Sequence, residues 1–474
     1  MLIAKAAAPC RGARAYEIAW AKRRSLLRLR ERQDVASYVS TIMHVREHNF
    51  WLTTTEMPQI DAACPLPEVV DVAVIGAGFT GLSAARTLAK RGATAAVLEA
   101  ETVGWGASSR NGGMVLTGLK LGVNKLISMY GRERTQRMYA ASVASMDCVE
   151  QLVREESIDC DFSRCGHLEV ACKQKHFDDY ARQVEVIARE FNHQLRIVSR
   201  TDLPSEIGSS IYYGGMVDEV SAGLNPARYV AGLAGATAKA GAAIFEQTRV
   251  DKIEREARQA AQGWRVTTPR GTLWARDVFV GTSGYTGAST PALRKKIIPI
   301  GSYIVTTEIL PEALARELSP RNRMIYDSKN YIYYYRLTPD NRMLFGGRAA
   351  FFPETADSIR KSAEILRLGM IDVYPQLRDV EVEYVWGGTL DFAFDIMPHA
   401  GQIDGIYYAV GYAGHGVAMA TWQGQKMAEL IAGEKPENPF VDIPFPGAPF
   451  GLYNGKPWFL PFAWAWYKFL DWVS

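Results

Sequence analysis

The stretch VVDVAVIGAGFTGLSAARTLAKRGATAAVLE, Val69 to Glu99, decides the fold. Seven apolar-rich residues, Val69 to Ile75, read as a buried strand and run straight into GAGFTG at 76–81. A helix follows from about Leu82 to Lys90, with Leu82, Ala85 and Leu88/Ala89 on one face. Gly92 stops it, and a second strand, Thr94 to Leu98, ends in Glu99. A GxGxxG sequence alone is a common accident, but one that follows a strand, opens a helix and has an acid 18 residues beyond Gly81 is a dinucleotide fingerprint. Gly76 permits the tight turn, Gly78 lets backbone approach a pyrophosphate, and Gly81 allows close helix–strand packing. The helix N-terminus turns about half a positive charge toward the phosphates. Glu99 accepts hydrogen bonds from ribose hydroxyls and repels a 2′-phosphate, which disfavours NADP.

NAD and FAD share this fingerprint, so the neighbouring segments have to separate them. VGWGASSRNGG at 103–113 offers many backbone N–H groups with Arg110 and Asn111, suited to a second phosphate and to a flavin edge; a plain surface loop is the alternative. IYYAVGYAGHGVAMATWQGQKMAELIAG at 406–433 reads as strand, glycine turn and amphipathic helix. Its helix N-terminus at Gly416–Val417 points to a ring that gains negative charge on reduction. His415 is a candidate for a direct chemical role, with helix capping as the alternative.

Outward from these motifs, helical patterns cover 126–156 and 175–193, and Pro226 opens a helix to about Lys239. Strands are expected at 243–254, 263–268 and 273–281. The segment 297–349 is rich in β-formers, with the DN pair at 340–341 as a hairpin turn. A helix at about 355–373 precedes the final segment 384–432. The expected class is α/β: a glutathione-reductase-like FAD-binding Rossmann domain with an inserted mixed β-sheet substrate domain. The FAD-binding domain takes 69–160, 225–292 and 386–436; the substrate domain takes 161–224 and 293–385. Residues 1–68 form an extension and lead-in, and 437–474 an aromatic tail.

The chain has 474 residues, 48% of them hydrophobic, an ordinary globular composition. Its formal charge of +3 hides an asymmetry. Residues 1–34 hold nine Lys/Arg against three acids and are +6, so the other 440 residues sum to −3, which argues against a nucleic-acid-binding body. The basic segment 1–43 reads as a transit peptide or a basic tail that docks on acidic surfaces, or as residues upstream of a true start at Met43. The six cysteines, at 10, 64, 148, 160, 165 and 172, contain no CxxC pair. A reducing cytoplasm fits them, and Cys160 to Cys172 with His167 between reads as half-buried strand rather than a metal site. WFLPFAWAWY at 458–467 is interrupted too early to span a bilayer, which takes roughly 20 apolar residues. It is a docked helix, an oligomer contact or a peripheral membrane contact.

Taken together, the fingerprint, GASSRNGG, VGTSGYTG at 280–287, YYYRLTPDNRMLFGGR at 333–348, WGGTLDFAFDIMP at 386–398 and GYAGHGV at 411–417 resemble the D-amino-acid-oxidase (DAO) family of FAD-dependent oxidoreductases. Within it they are most similar to the gamma-glutamylputrescine oxidase-like branch, and the likeness covers about 69–436. The resemblance implies that Gly76, Gly78, Phe79, Thr80 and Gly81 meet the pyrophosphate, Glu99 and Ala100 the adenosine ribose, and Gly106, Ala107, Ser108, Arg110, Asn111, Gly112 and Gly113 the flavin and its linker. It implies that Val250 meets adenine through its backbone, that Ser283 and Gly284 flank the same pocket, and that Gly414, His415, Gly416 and Val417 lie at the isoalloxazine edge. The chain departs from the family at Gly281 and Ser283, where Ala and Asn are usual. With no His or Cys between 65 and 147 and no Cys after 172, the FAD is expected to be non-covalent, His399 and His415 being the two possible points of attachment.

The implied reaction takes hydride from the carbon bearing nitrogen of an amine or amino-acid-derived substrate, with oxygen or another acceptor taking the electrons, and requires no obligatory acid or base residue. For substrate, Tyr303, Tyr333 and Tyr335 are expected to wall an aromatic pocket, and Arg336 or Arg348 to pair with a carboxylate. The alternative for these residues is strand packing and domain-interface ion pairs. Two rival readings stay open: a dehydrogenase that feeds a non-oxygen acceptor, and a non-catalytic flavin-binding partner.

Overall fold

A computed structural model of the chain describes residues 45–61, 63–259, 261–350, 356–448 and 451–460. The basic segment, Met43 and the tail from 461 onward lie outside these residues, as do the side chains of 348–350.

Two eight-stranded sheets organise the molecule. In the first, Val69–Ile75 is central and parallel to Gly271–Val280 on one side and Ala95–Leu98 on the other. Ala243–Phe245 extends it beyond Ala95–Leu98, and Ile406–Val410 beyond Gly271–Val280, both in parallel; His399–Ile403 closes the edge antiparallel. A hairpin of Lys252–Arg258 and Ala261–Thr268 is added to the start of Gly271–Val280. The strands Val69–Ile75 and Ala95–Leu98 are almost wholly buried because helices cover the sheet, which is why their sequences are continuous apolar runs rather than alternating ones. Helices Phe79–Lys90 and Gly416–Ile431 pack closely together: a Cβ at Gly424 would stand 2.3 Å from the Thr80 carbonyl oxygen.

The fingerprint helix begins at Phe79, a turn earlier than the apolar periodicity indicates. Its first turn is made of the fingerprint itself, with Gly78 as N-cap, so the helix starts before the apolar stripe does. The helical stretch after 125 is interrupted at Gly131, whose φ of +76° separates Val123–Tyr130 from Arg132–Glu155. Pro226–Lys239 forms as expected, capped by Asn225.

The second sheet runs in the order Val382–Ala393, Ile297–Thr307, Met343–Ala350, Tyr333–Leu337, Met324–Asp327, His167–Val170, Gly214–Asp218, Arg196–Ser199. Tyr333–Leu337 and Met343–Ala350 form the hairpin over Asn341, whose φ is +62°. The boundary expected at 386 falls inside the strand Val382–Ala393, which pairs with Ile297–Thr307 as far as Ala393, so it stays in the second sheet to its end.

The lead-in is also more than an extension. Trp51 is fully buried and donates its indole N–H to the Asn111 carbonyl at 2.9 Å, while Asn49 Nδ2 donates to the Ser109 carbonyl at 2.9 Å. Residues 45–54 therefore brace the loop at 107–113.

Candidate functional site

Three stretches far apart in sequence meet at the ends of the central strands. Gly76 carries a φ of +100°, which only glycine adopts at low cost, and its N–H donates to the Leu98 carbonyl. A Cβ on Gly81 would stand 1.9 Å from the Gly76 carbonyl oxygen, so the helix can lie this close to the strand only without a side chain there. On the other side of Val69–Ile75, the Gly281 N–H donates to the Ile75 carbonyl. From the far segment, the Tyr412 hydroxyl meets Thr80 Oγ1 at 2.9 Å, and Ser83 Oγ donates to the Thr421 carbonyl at 2.7 Å.

Glu99 ends its strand with one carboxylate oxygen accepting from the Ala77 N–H (2.7 Å) and the other from the Glu101 N–H (2.9 Å). Burial raises its pKa above the usual carboxylate range. Ala100 follows it at the crevice edge. At the fingerprint, Ser108 Oγ accepts the Phe79 N–H at 2.9 Å, and Gly78 leaves room for that serine, since a Cβ there would come within 2.8 Å of it.

The loop 103–113 is tied internally and to the strand Val382–Ala393. Asn111 Nδ2 donates to the Ala107 and Ser108 carbonyls and its Oδ1 accepts from the Gly113 N–H. Arg110 donates to the Trp105 and Gly387 carbonyls, and Trp386 Nε1 to the Arg110 carbonyl. Gly106 sits beneath the Tyr285 ring, and Gly112 faces Tyr334.

Asp391 went unnoticed in the sequence. It is buried, and its carboxylate accepts the N–H groups of Gly411 at 2.5 Å and Tyr412 at 3.2 Å, together with the Ser283 side chain. Desolvation pushes its pKa up to about 6. A carboxylate flanked by Leu390 and Phe392 was the available signal, since a buried acid has to be satisfied by specific donors.

Ser283 and Gly284 lie against Leu390 and Asp391, while Val250 is buried in a cluster with Phe245, Trp264 and Val280.

Gly414, with φ +88°, and His415 precede the helix Gly416–Ile431. His415 is its N-cap residue but makes no side-chain capping bond, and its buried Nδ1 has no hydrogen-bond partner. Desolvation lowers its pKa to about 3, so the ring is neutral at physiological pH. His399 does not share this position: it is buried, stacked on Phe445, and held by Asp395 at 2.9 Å.

A cavity of about 720 Å³ extends from Ala107, Asn111 and Gly112 past Gly414, His415 and Val417 to the second sheet. The tyrosines expected to wall it face the other way. Tyr303 and Tyr335 are buried in the core behind the sheet, with Tyr335 bonded to the Tyr212 hydroxyl and stacked on Phe345; Tyr333 packs against the same core. Because successive strand side chains alternate, their neighbours Ser302 and Tyr334 line the cavity instead. Arg336 is not available to a carboxylate: it is buried and donates to the Gly113, Leu224 and Leu337 carbonyls, where it braces the end of the loop 103–113. Arg348 lies on Met343–Ala350, with its side chain outside the described residues.

The far wall carries charges that sequence reading missed. Lys120, Glu169, Asp327 and Lys329 all line the cavity, with Asp327 and Lys329 paired at 3.0 Å. Lys120 is exposed at the cavity, and the protein around it lowers its pKa from the usual lysine value. Tyr326 joins Glu169 Oε2 to His167 Nε2, both at 3.3 Å.

These residues fit FAD. The glycine-lined crevice at Gly76–Gly81, the anchored carboxylate of Glu99, the Ala107–Gly113 loop, and a helix N-terminus beside an unpartnered imidazole nitrogen match in turn the pyrophosphate, a ribose and a flavin edge.

Comparison with known proteins agrees. The DAO family, described as FAD dependent oxidoreductase, matches residues 71–430. A probable oxidoreductase OrdL of Haemophilus influenzae is 34% identical over 78% of this chain and 85% of its own length. The gamma-glutamylputrescine oxidoreductase of Escherichia coli is 32% identical over 80% of this chain and 88% of its own. Among solved structures, glycine oxidase from Geobacillus kaustophilus superposes with a TM-score of 0.68 at 21% identity, covering 80% of this chain and all of that one.

Proposed function

The chain belongs to the DAO family of FAD-dependent oxidoreductases, enzymes that act on amines or amino acids, and from that membership we infer that it oxidises the C–N bond of an amine or amino-acid-like substrate. When bound, FAD supplies the two-electron sink that takes hydride from the carbon bearing nitrogen and later yields the electrons to oxygen or another acceptor. The imine left on the substrate hydrolyses to a carbonyl and an amine or ammonia.

The observation that carries this reading is the single cavity joining Asn111, Gly112 and the Gly414–Val417 turn to a charged wall on the second sheet. Its residues have simple tasks. The N–H groups at the start of Gly416–Ile431 favour negative charge near them without a cation, since His415 is held neutral. Leu390, Phe392 and Val417 give the cavity an apolar flank that limits water and favours the unprotonated amine that hydride loss requires. Glu169, whose pKa burial raises, stands within the same space as an acceptor for an arriving ammonium. Flavin attachment is read as non-covalent, since residues 65–147 contain no His or Cys and His399 is stacked on Phe445 and held by Asp395.

Among the described residues no helix is long and apolar enough to cross a membrane. We place the reaction in the cytoplasm, which accords with free Cys64, Cys148, Cys160, Cys165 and Cys172.

The test is anaerobic addition of polyamines, their acyl derivatives including gamma-glutamylputrescine, D-amino acids and sarcosine to the FAD-loaded protein. At least one amine is expected to bleach the flavin, and its turnover in air to release peroxide. Bleaching without peroxide favours a dehydrogenase with another acceptor, and no bleaching by any of them contradicts the reading.

A further inference from the structure

The family match ends at residue 430, yet the chain beyond it returns to the cavity. Phe440 is buried beside Trp422 of Gly416–Ile431, and the Phe445 ring stacks on His399. Residues 451–460 then lie over the start of Ile297–Thr307. There the Tyr453 hydroxyl donates to the Ile297 carbonyl at 2.8 Å, and Leu460 is buried with Ile298. As far as Leu460, the aromatic tail is docked on its own chain.

That docking brings Phe459 and Leu460 into the lining of the cavity that begins at Ala107 and the Gly414–Val417 turn. They meet an apolar patch of the second sheet. Ile298 and Ile300 are two residues apart on one strand and share a face, and Phe392 is the cross-strand partner of Ile298. Phe459 is half-buried, with its ring 6.4 Å from that of Phe394 and 5.8 Å from that of Tyr453. Leu460 anchors the segment, which leaves Phe459 as the ring presented to the cavity. Its neighbour Trp458 is 61% exposed and stands outside the cavity lining, so one layer of chain separates this part of the cavity from solvent. Apolar surface facing a cavity favours a ligand that covers it with hydrocarbon, by about fourfold in affinity per methylene buried.

We propose that Phe459 is a specificity-determining residue: the segment 451–460 supplies the outer wall of an apolar subsite that takes the hydrocarbon part of the amine substrate. This deepens the amine-oxidation reading above and rests on it in placing the substrate in this cavity. An amine too short to reach the wall is indifferent to Phe459, and a longer one is selected by it.

The probes are methylamine and n-hexylamine, titrated anaerobically into FAD-loaded protein, with binding read from perturbation of the flavin absorbance or by calorimetry. The wild type is expected to bind hexylamine about 10-fold or more tighter than methylamine. Phe459→Ala should cut that ratio about 10-fold, the contact of one ring with the alkyl chain, and leave methylamine unchanged; Phe459→Leu should restore most of the ratio. Trp458→Ala, one residue along and outside the cavity, should leave the ratio as it is. The flavin spectrum of each variant checks that the site remains assembled. The wall is overturned if the wild type binds neither amine or does not distinguish them. It is equally overturned if Phe459→Ala weakens both alike or neither, or if Trp458→Ala has the same effect as Phe459→Ala. If the ratio changes as expected but no amine bleaches the flavin, the wall stands and the oxidation reading fails. If an amine bleaches the flavin while the ratio is the same in every variant, the oxidation reading stands and the wall fails.

Discussion

Gly81→Val yields a protein that carries no FAD. The valine Cβ would start 1.9 Å from the Gly76 carbonyl oxygen and 3.2 Å from Val74 Cγ1, and the first obstacle is backbone that cannot rotate away. The helix Phe79–Lys90 has to lift by more than 1 Å to reach ordinary contact distance, which draws its N-terminus off the crevice and strains the Thr80–Tyr412 and Ser83–Thr421 contacts that join it to Gly416–Ile431. The expected cost is about 4 kcal/mol or more, the upper range for a steric substitution, and FAD affinity falls by roughly a thousandfold or beyond. Gly92→Ala is the matched control. Gly92 has positive φ, +85°, but nothing lies within 4 Å of its Cβ direction, so only backbone strain of about 1 kcal/mol is expected and the flavin is retained. Bound FAD per chain, measured beside far-UV circular dichroism, separates loss of the crevice from loss of the fold.

The second large effect is expected at Asp391. Alanine there removes the acceptor for the Gly411 and Tyr412 N–H groups and for Ser283 in a site where water is excluded. Each stranded buried donor costs about 1–3 kcal/mol, so Asp391→Ala should destabilise by about 3–5 kcal/mol and release the turn that leads into Gly414–Val417. The wild-type carboxylate also has a pH signature. Its folded-state pKa, about 6, lies above the unfolded value of 3.8, so the folded protein binds the extra proton. The corresponding stability is complete below about pH 4 and disappears as pH rises through 6. The shift of about two units corresponds to about 3 kcal/mol. Asp391→Asn does not titrate, and urea unfolding at pH 4.5 and 7.5 should show this variant gaining on the wild type at the higher pH. Parallel stabilities at the two pH values would mean that Asp391 does not ionise in that range.

What the sequence disclosed and what it concealed divide along physical lines. The fingerprint at 76–81 and Glu99 were legible because strand, turn, helix and acid are contiguous, and each glycine answers a local steric demand. The Gly411–Val417 turn was legible for the same reason. Tyr303, Tyr333 and Tyr335 were assigned to the cavity because aromatic residues on a strand attract attention, but periodicity shows that residues alternate without showing which set faces the site. Here Ser302 and Tyr334 do. Arg336 shares the parity of Tyr334, yet it is consumed by three backbone carbonyls that no local pattern reveals. Asn49, Trp51 and Asp391 act through partners 20 to 108 residues away, and Lys120 and Glu169 line one cavity from separate segments of the chain. Such contacts exist only once the sheets are assembled.

The account stands on one dinucleotide gripped jointly by the Gly76–Gly81 crevice, the Ala107–Gly113 loop and the Gly414–Val417 turn. The direct measurement is the flavin content of purified protein, supplemented with FAD during preparation, followed by heat or acid denaturation. One FAD per chain, released entirely into the supernatant, is the predicted result. A colourless protein that refuses added FAD would contradict the account.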